Sequence, residues 1–264
     1  YLKENMTRSS GNLISGSSAN ITIDNSGSHN ICAFSDNDVT IKTTSTGGSV
    51  TTTGDISCKS IDLTSGTKTF LIDGETVNLE EDLVITAGTF QMTSGILNIN
   101  SNSGTSAVVE GGTLDLDGGT LTVGNSSGGD LSLTSGTMDV SNGILNIADE
   151  LDVSNGIITQ SGGTINIKSY VGSGHGSSSA KFEMDAGTLN LTGGTLRLNG
   201  QTTTSASSNP AMKIASGVSV TATSSHTTLI QSNNSTSNDE DIYIDMNGNN
   251  LGALTFILTE QEEI

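Results

Sequence analysis

The 264-residue chain has no tryptophan, one proline, two cysteines and only 3% aromatic residues. With three tyrosines in all, it lacks the stacking side chains expected in a sugar-binding cleft. A single proline excludes a proline-rich linker, and no apolar run approaches the roughly 18 residues that span a bilayer. These absences argue against a linker protein, a membrane-inserted protein and an aromatic-lined carbohydrate enzyme.

Basic residues are also scarce, with 9 Lys and Arg against 28 Asp and Glu, and the net charge is −19. Such a surface repels nucleic-acid phosphates and anionic headgroups, so we expect neither nucleic acid nor a membrane surface as a partner. The charge suits an extracellular or cell-surface location. No secretory signal is present, and we interpret Tyr1–Ile264 as a mature chain or as one segment of a longer polypeptide.

Candidate nucleophiles and metal ligands are few. Cys32 and Cys58 could form a disulfide between neighbouring coils, or could be two small buried side chains in the core, which we favour. No His/Cys spacing indicates a metal motif. The histidines lie in Gly/Ser-rich segments and are predicted to be solvated: His29, His175 and His226. We therefore predict no catalytic residues, no cofactor and no enzyme.

What the chain does have is a repeated phrase of Gly, usually Thr, and an alternating apolar pair. Examples are Gly88–Met92, Gly95–Ile99 and Gly112–Leu116. The phrases come in pairs seven residues apart, and the pairs recur every 20 to 31 residues along the chain. Self-similarity at this period is typical of a solenoid, and the alternation within each phrase indicates strands.

A third apolar alternation, such as Leu83/Ile85, ends three residues before each pair of phrases. Three short strands per repeat predict an all-β fold: a right-handed, three-faced parallel β-helix of roughly nine or ten coils. At about 22 residues per coil, it would form a rod about 45 Å long. We divide the chain into an irregular N-terminal coil or cap (1–38), a regular β-helix (39–220) and irregular C-terminal coils or a cap (221–264).

The alternation predicts which side chains point inward. One ladder should contain Phe90, Leu114, Met138, Ile158 and Leu189, and the next Leu97, Leu121, Leu145, Ile165 and Leu196. Longer connections interrupt the repeat after the second phrase, so all should emerge along one edge. They are Asn100–Ser106, Gly124–Gly129, Ser169–Ala180 and Gln201–Ala211. Such insertions are the usual place for binding function in solenoids.

Stacked carboxylates would be the signature of a polysaccharide lyase or hydrolase on this fold. Asp115 with Asp139, and Asp152 with Glu183, should occupy equivalent outward positions in consecutive coils. A lyase also needs a cation beside the acids, and we predict that none of the available ones stacks with an acid ladder: Lys168, Lys181, Arg197 and Lys213. A carbohydrate-binding or carbohydrate-active β-helix remains the alternative function.

Calcium has two weak candidate sites, built from oxygen-bearing side chains near turns. Their residues are Asp36 and Asp38, and Asp239, Asp241, Asp245 and Asn247. Asn, Asp and Gly are also common turn residues, and turn formation is the interpretation that we favour for these residues. The third function we consider is ice binding, which needs ranked Thr-x-Thr pairs on a flat face. Thr120/Thr122 is the one such pair on its strand face, and Arg197 breaks that face.

Several phrases resemble the Gly-Gly-Thr-Leu-x-Leu repeats of large bacterial surface proteins: Ser94–Ile99, Gly111–Leu116 and Ser161–Ile167. They are similar to the β-solenoid regions of autotransporter passengers and of adhesin-like proteins that Bacteroidota secrete through the type 9 system. The resemblance covers roughly residues 39–220. It implies a structural rod, stalk or adhesive segment whose partners are other segments of a long chain, other surface proteins or glycans.

Overall fold

A computed structural model describes residues 18–101, 105–125, 128–168, 181–199, 211–231 and 244–257. These residues form β-strands and turns and contain no helix. All strand pairings between coils are parallel. The fold is therefore a parallel β-solenoid, as the repeat predicts.

The described residues form twenty-five strands, of which four have 8 to 11 residues and the rest have five or fewer. Most strands alternate between buried and partly exposed side chains. Their bounds are β1 Ala19–Ile23, β2 His29–Ile31, β3 Phe34–Thr43, β4 Ser49–Thr52, β5 Ile56–Leu63, β6 Thr69–Leu79, β7 Leu83–Ile85, β8 Thr89–Ile99, β9 Thr105–Val109, β10 Thr113–Leu116, β11 Thr120–Val123, β12 Asp130–Leu133, β13 Thr137–Val140, β14 Ile144–Ile147, β15 Leu151–Val153, β16 Gly156–Gln160, β17 Thr164–Lys168, β18 Phe182–Met184, β19 Gly187–Leu191, β20 Thr195–Asn199, β21 Met212–Ile214, β22 Ser219–Ala222, β23 Thr227–Gln231, β24 Ile244–Asp245 and β25 Ala253–Ile257.

The strands stack into three faces. Face 1 holds β1, β7, β9, β12, β15, β18, β21, β24 and the second halves of β3 and β5. Face 2 holds β2, β4, β10, β13, β16, β19, β22 and the first halves of β6 and β8. Face 3 holds β11, β14, β17, β20, β23, β25, the first halves of β3 and β5, and the second halves of β6 and β8.

The coils are not all alike. About six, from β7 to β23, follow the regular plan of the repeat. Before them the long strands β3, β5 and β6 run through corners and join one face to the next. The last coil is described only over residues 244–257, which contain β24 and β25. The predicted number of nine or ten coils is reached only by adding these bent and partial coils to the regular ones.

Both predicted inward ladders are confirmed by the register. Phe90 pairs with Leu114, which pairs with Met138, and the series continues through Ile158 to Leu189. On face 3, Leu97 leads in the same way to Leu196. All of these side chains are at most 2% exposed. A narrow and mostly aliphatic column thus forms the core of a chain with only 3% aromatic residues.

Two polar side chains enter this interior against expectation. Lys68 is fully buried at a corner, where its Nζ donates to the carbonyl oxygen of Gly27 over 2.9 Å. Burial lowers the pKa of the Lys68 amine. Gln160 takes an inward position between Val140 and Leu191. Its amide nitrogen donates to the Thr195 carbonyl, but its Oε1 has no hydrogen-bond partner.

From β7 onward, apart from β24–β25, which runs from face 1 to face 3, the connections of five residues or more lie between a face 3 strand and the next face 1 strand. We call this corner the insertion edge. It carries the connections β8–β9, β11–β12, β17–β18, β20–β21 and β23–β24. The placement on a single edge is as predicted, although the first connection is shorter than expected because β9 already begins at Thr105.

Candidate functional site

A buried ion pair lies at the insertion edge, where three successive coils meet. The Nζ atom of Lys181 lies 2.5 Å from the Asp149 carboxylate and 3.3 Å from that of Glu150. Lys181 is only 6% exposed. The carboxylate of Asp130, one coil away, accepts a hydrogen bond from the backbone N–H of Glu150. Burial and the nearby charges of Glu150 and Asp149 raise the pKa of Asp130 to about 6.

This raised pKa has a consequence for stability. Asp130 binds its proton more tightly when folded, so its contribution to folding falls as pH rises from about 4 through about 6. Asp130→Asn keeps an oxygen that can accept the Glu150 hydrogen bond but removes the charge. We expect it to stabilise the fold by about 1 kcal/mol at pH 7.5, raising the Tm by about 2 °C, with little effect at pH 4.5. Thermal melts at both pH values measure this, and an equal shift at both would contradict it.

A second charged series follows the outward positions of face 1. Asp152 pairs with Glu183, Glu183 with Lys213, and Lys213 with Asp245. The Lys213 ammonium contacts the Glu183 carboxylate and lies 3.9 Å from that of Asp185. The prediction that no cation stacks with an acid ladder is therefore wrong for Lys213. It is also wrong for Lys181, which pairs with Asp149 and Glu150 of the preceding coil. The place of Lys213 was readable from the Met212/Ile214 alternation, which puts Lys213 in the outward position.

The Asp115 and Asp139 carboxylates do occupy paired positions on face 2, as predicted. The Gln91 amide donates to Asp115 over 3.0 Å and to Asp117 over 2.9 Å. Burial raises the pKa of Asp115 and of Asp139, and the neighbouring carboxylates add to the effect. The Gln91 amide thus donates hydrogen bonds to two carboxylates of this acidic patch. The sequence analysis considered only the pair of carboxylates and did not predict this contact.

The calcium candidates that the structure describes lie where a strand bends or ends: Asp36 and Asp38 at the register shift within β3, and Asp245 and Asn247 at the end of β24. The backbone N–H of Asp38 donates to the Asp36 carboxylate over 3.1 Å. The same geometry recurs at Asp245, whose carboxylate accepts from the backbone N–H of Asn247 over 3.2 Å. Asp239 and Asp241 lie outside the described residues. Within the part of the chain that is described, no three His, Cys, Asp or Glu side chains are grouped so that they could hold a metal ion.

Two histidines are buried rather than solvated, which corrects the prediction. His29 is 5% exposed and contacts the Asn25 side chain. His226 is fully buried, with Nδ1 3.0 Å from the Gly193 carbonyl and Nε2 3.1 Å from the Thr228 hydroxyl. Burial lowers the pKa of His226. His29 is the first, inward-facing residue of β2, and His226 lies at the corner before β23, which the neighbouring coil covers. His175 lies outside the described residues.

The two cysteines are free thiols in the structure. Cys58 is buried in the inward ladder, where it pairs with Leu79, and burial raises the pKa of its thiol to about 12. Cys32 is only partly buried, between β2 and β3, so the expectation of two core cysteines is correct for Cys58 alone.

The outward surface of face 3 has two regular ranks. Two isoleucines in the first rank, Ile96 and Ile144, are 43% and 41% exposed. In the second rank, the Asn98 amide donates to Asn78, and the Asn166 amide donates to Asn146. Thr122 stands between these two pairs in register. Face 3 therefore presents ranks of Thr, Ile and Asn, in which two pairs of Asn side chains are linked by hydrogen bonds.

Comparisons with protein-family models, curated proteins and solved structures give no match to this chain. Among the described residues there is no helix long and apolar enough to cross a membrane. The fold and the surfaces above are therefore the basis on which a function is assigned.

Proposed function

We propose that the chain is a non-enzymatic structural rod that serves as a stalk, spacer or adhesive segment of a larger extracellular or cell-surface protein. The proposal rests on the different structural roles of the three faces and of the insertion edge in each coil. Three faces form continuous inward ladders, while the variable connections collect at the insertion edge. Such a rod holds its loops at fixed heights along one side.

Continuous parallel pairing gives this rod its stiffness. Each coil is hydrogen-bonded on all three faces to the coils above and below, from β7 through β23. A buried side chain in one coil packs on its equivalents in the neighbouring coils, so bending would open the ladders on one face. The net charge of −19 would keep such rods apart from anionic surfaces.

A spin-label distance measurement tests the rod. Asn30 and Thr221 are eight pairing steps apart on face 2. In a Cys32→Ser background, labels on Asn30→Cys and Thr221→Cys should give one narrow distribution near 38 Å, because adjacent strands are about 4.8 Å apart. A broad distribution, or one centred well below this value, would refute a stiff rod.

Carbohydrate binding is the second candidate, favoured by the position of Lys213 among acids on face 1. Stacked carboxylates supply the oxygen ligands that Ca²⁺ prefers, and a basic side chain beside them is what a lyase on this fold would need. A glycan array with and without EDTA distinguishes the two proposals. Binding that EDTA abolishes, and that Lys213→Ala weakens, would favour a glycan site over a purely structural rod.

A further inference from the structure

Face 3 differs from the rest of the molecule in charge. From β6 to β25 its two outward ranks contain Thr, Asn, Ile, Leu and Ala, a single arginine and no carboxylate. The chain as a whole has 28 acidic residues. Two copies of so acidic a molecule repel each other over most of their surface. Face 3 from β6 to β25 is a long region on which they could approach without bringing carboxylates together.

The two ranks of face 3 are also symmetric over five coils. The first rank reads Thr76, Ile96, Thr120, Ile144, Thr164, and the second reads Asn78, Asn98, Thr122, Asn146, Asn166. Each rank reads the same in both directions from the coil that holds Thr120 and Thr122. A surface of this kind is complementary to itself, which is the requirement for a two-fold interface between identical chains.

A two-fold axis that runs along β11 would match every pair in these ranks. It places Ile96 of one copy over Ile144 of the other, and Asn98 over Asn146. Asp55 lies one coil before the symmetric stretch, and Arg197 lies one coil after it. The same axis brings Asp55 of one copy diagonally opposite Arg197 of the other copy. Neither residue takes part in an ion pair with the described residues, and the Asp55 carboxylate accepts a hydrogen bond from the backbone N–H of Thr76 over 2.8 Å.

We infer that face 3 is a self-association surface, through which two copies of this chain pair side by side in antiparallel orientation. The seven coils from Asp55 to Arg197 cover about 30 Å by about 13 Å, or about 400 Å² on each copy. This is about half the area that each partner buries in a standard stable complex. The pairing is therefore weak, with a Kd of about 100 μM, and it operates where copies are concentrated.

Sedimentation velocity from about 10 μM to about 1 mM tests the pairing. The wild-type chain should shift reversibly from monomer to dimer over this range. Ile96→Asp and Ile144→Asp place a carboxylate in the centre of the interface and should each weaken association by at least about tenfold. Ile157→Asp is the matched control, because Ile157 is equally exposed, at 44%, but lies on face 2. It should associate like the wild type.

Cysteine cross-linking tests the position of the axis. In a Cys32→Ser background, Thr120→Cys lies on the axis and should form a disulfide dimer under mild oxidation. Thr137→Cys, an outward residue of face 2 with similar burial, should not. Equal cross-linking of both would overturn the inference, as would equal effects of the three aspartate variants. A wild type that stays monomeric at 1 mM but shapes ice crystals would overturn it in favour of an ice-binding face.

Discussion

Gly187→Ala is expected to destabilise the solenoid by about 4 kcal/mol. Gly187 has φ +106°, a backbone conformation that residues with a Cβ rarely adopt. A Cβ there would lie 2.0 Å from the carbonyl oxygen of Gly156, the residue with which Gly187 pairs in the preceding coil. The strained backbone and the steric clash therefore add together. Chemical denaturation followed by circular dichroism measures the loss.

Two other glycines separate these causes. Gly47 has φ +74°, but a Cβ added there would have nothing within 4 Å, so Gly47→Ala should cost only about 1 kcal/mol. Gly217 has neither a positive φ nor a close neighbour, and Gly217→Ala should change stability by less than about 0.5 kcal/mol. If Gly187→Ala costs no more than Gly47→Ala, contact between coils is not the reason for glycine at this corner.

Phe90→Ala is expected to cost a similarly large amount, about 4 kcal/mol. The Phe90 ring is fully buried and stacks on Phe70, with ring centroids 5.4 Å apart and planes within 5° of parallel. In so narrow a column the neighbouring coils cannot collapse into the space, because their strands are fixed by hydrogen bonds. The loss combines the transfer free energy of the ring with the free energy of the cavity. Urea denaturation measures it.

The neighbouring positions provide controls for Phe90. Phe90→Leu introduces the residue that the next coil already uses at the paired position, Leu114, and should cost about 1.5 kcal/mol. Thr89→Ala alters the adjacent outward side chain and should stay within about 0.5 kcal/mol. A Thr89→Ala effect as large as that of Phe90→Ala would mean that the outward rank, and not the interior, determines stability here.

Much of the fold was predictable because a solenoid repeats one local rule. The alternation in Gly112–Leu116 predicts which side chains face inward. The constant spacing of the phrases within each repeat predicts which residues stack in neighbouring coils. The register of Leu114 on Met138 needed no knowledge of distant contacts. The same rule placed Asp115 beside Asp139 and the long connections on one edge.

Features outside the repeat were harder to predict. Lys68 occupies a corner where neighbouring coils have Gly27, Gly48 and Gly88, and its burial depends on a carbonyl two coils away. His226 is buried because the preceding coil provides the Gly193 carbonyl beside it. Such contacts depend on how corners stack in three dimensions, and a Gly/Ser-rich sequence does not distinguish a covered corner from an exposed one.

The insertion edge also affects how such a chain can change its length. Successive coils span 20, 24 and 31 residues between equivalent glycines, yet their ladders stay in register. A gene encoding this rod can therefore gain or lose residues at that corner without shifting any buried side chain. Duplication of a whole coil would instead add about 4.8 Å of height and leave the cross-section unchanged. The length of the rod and the chemistry of its insertion edge can therefore change independently of each other.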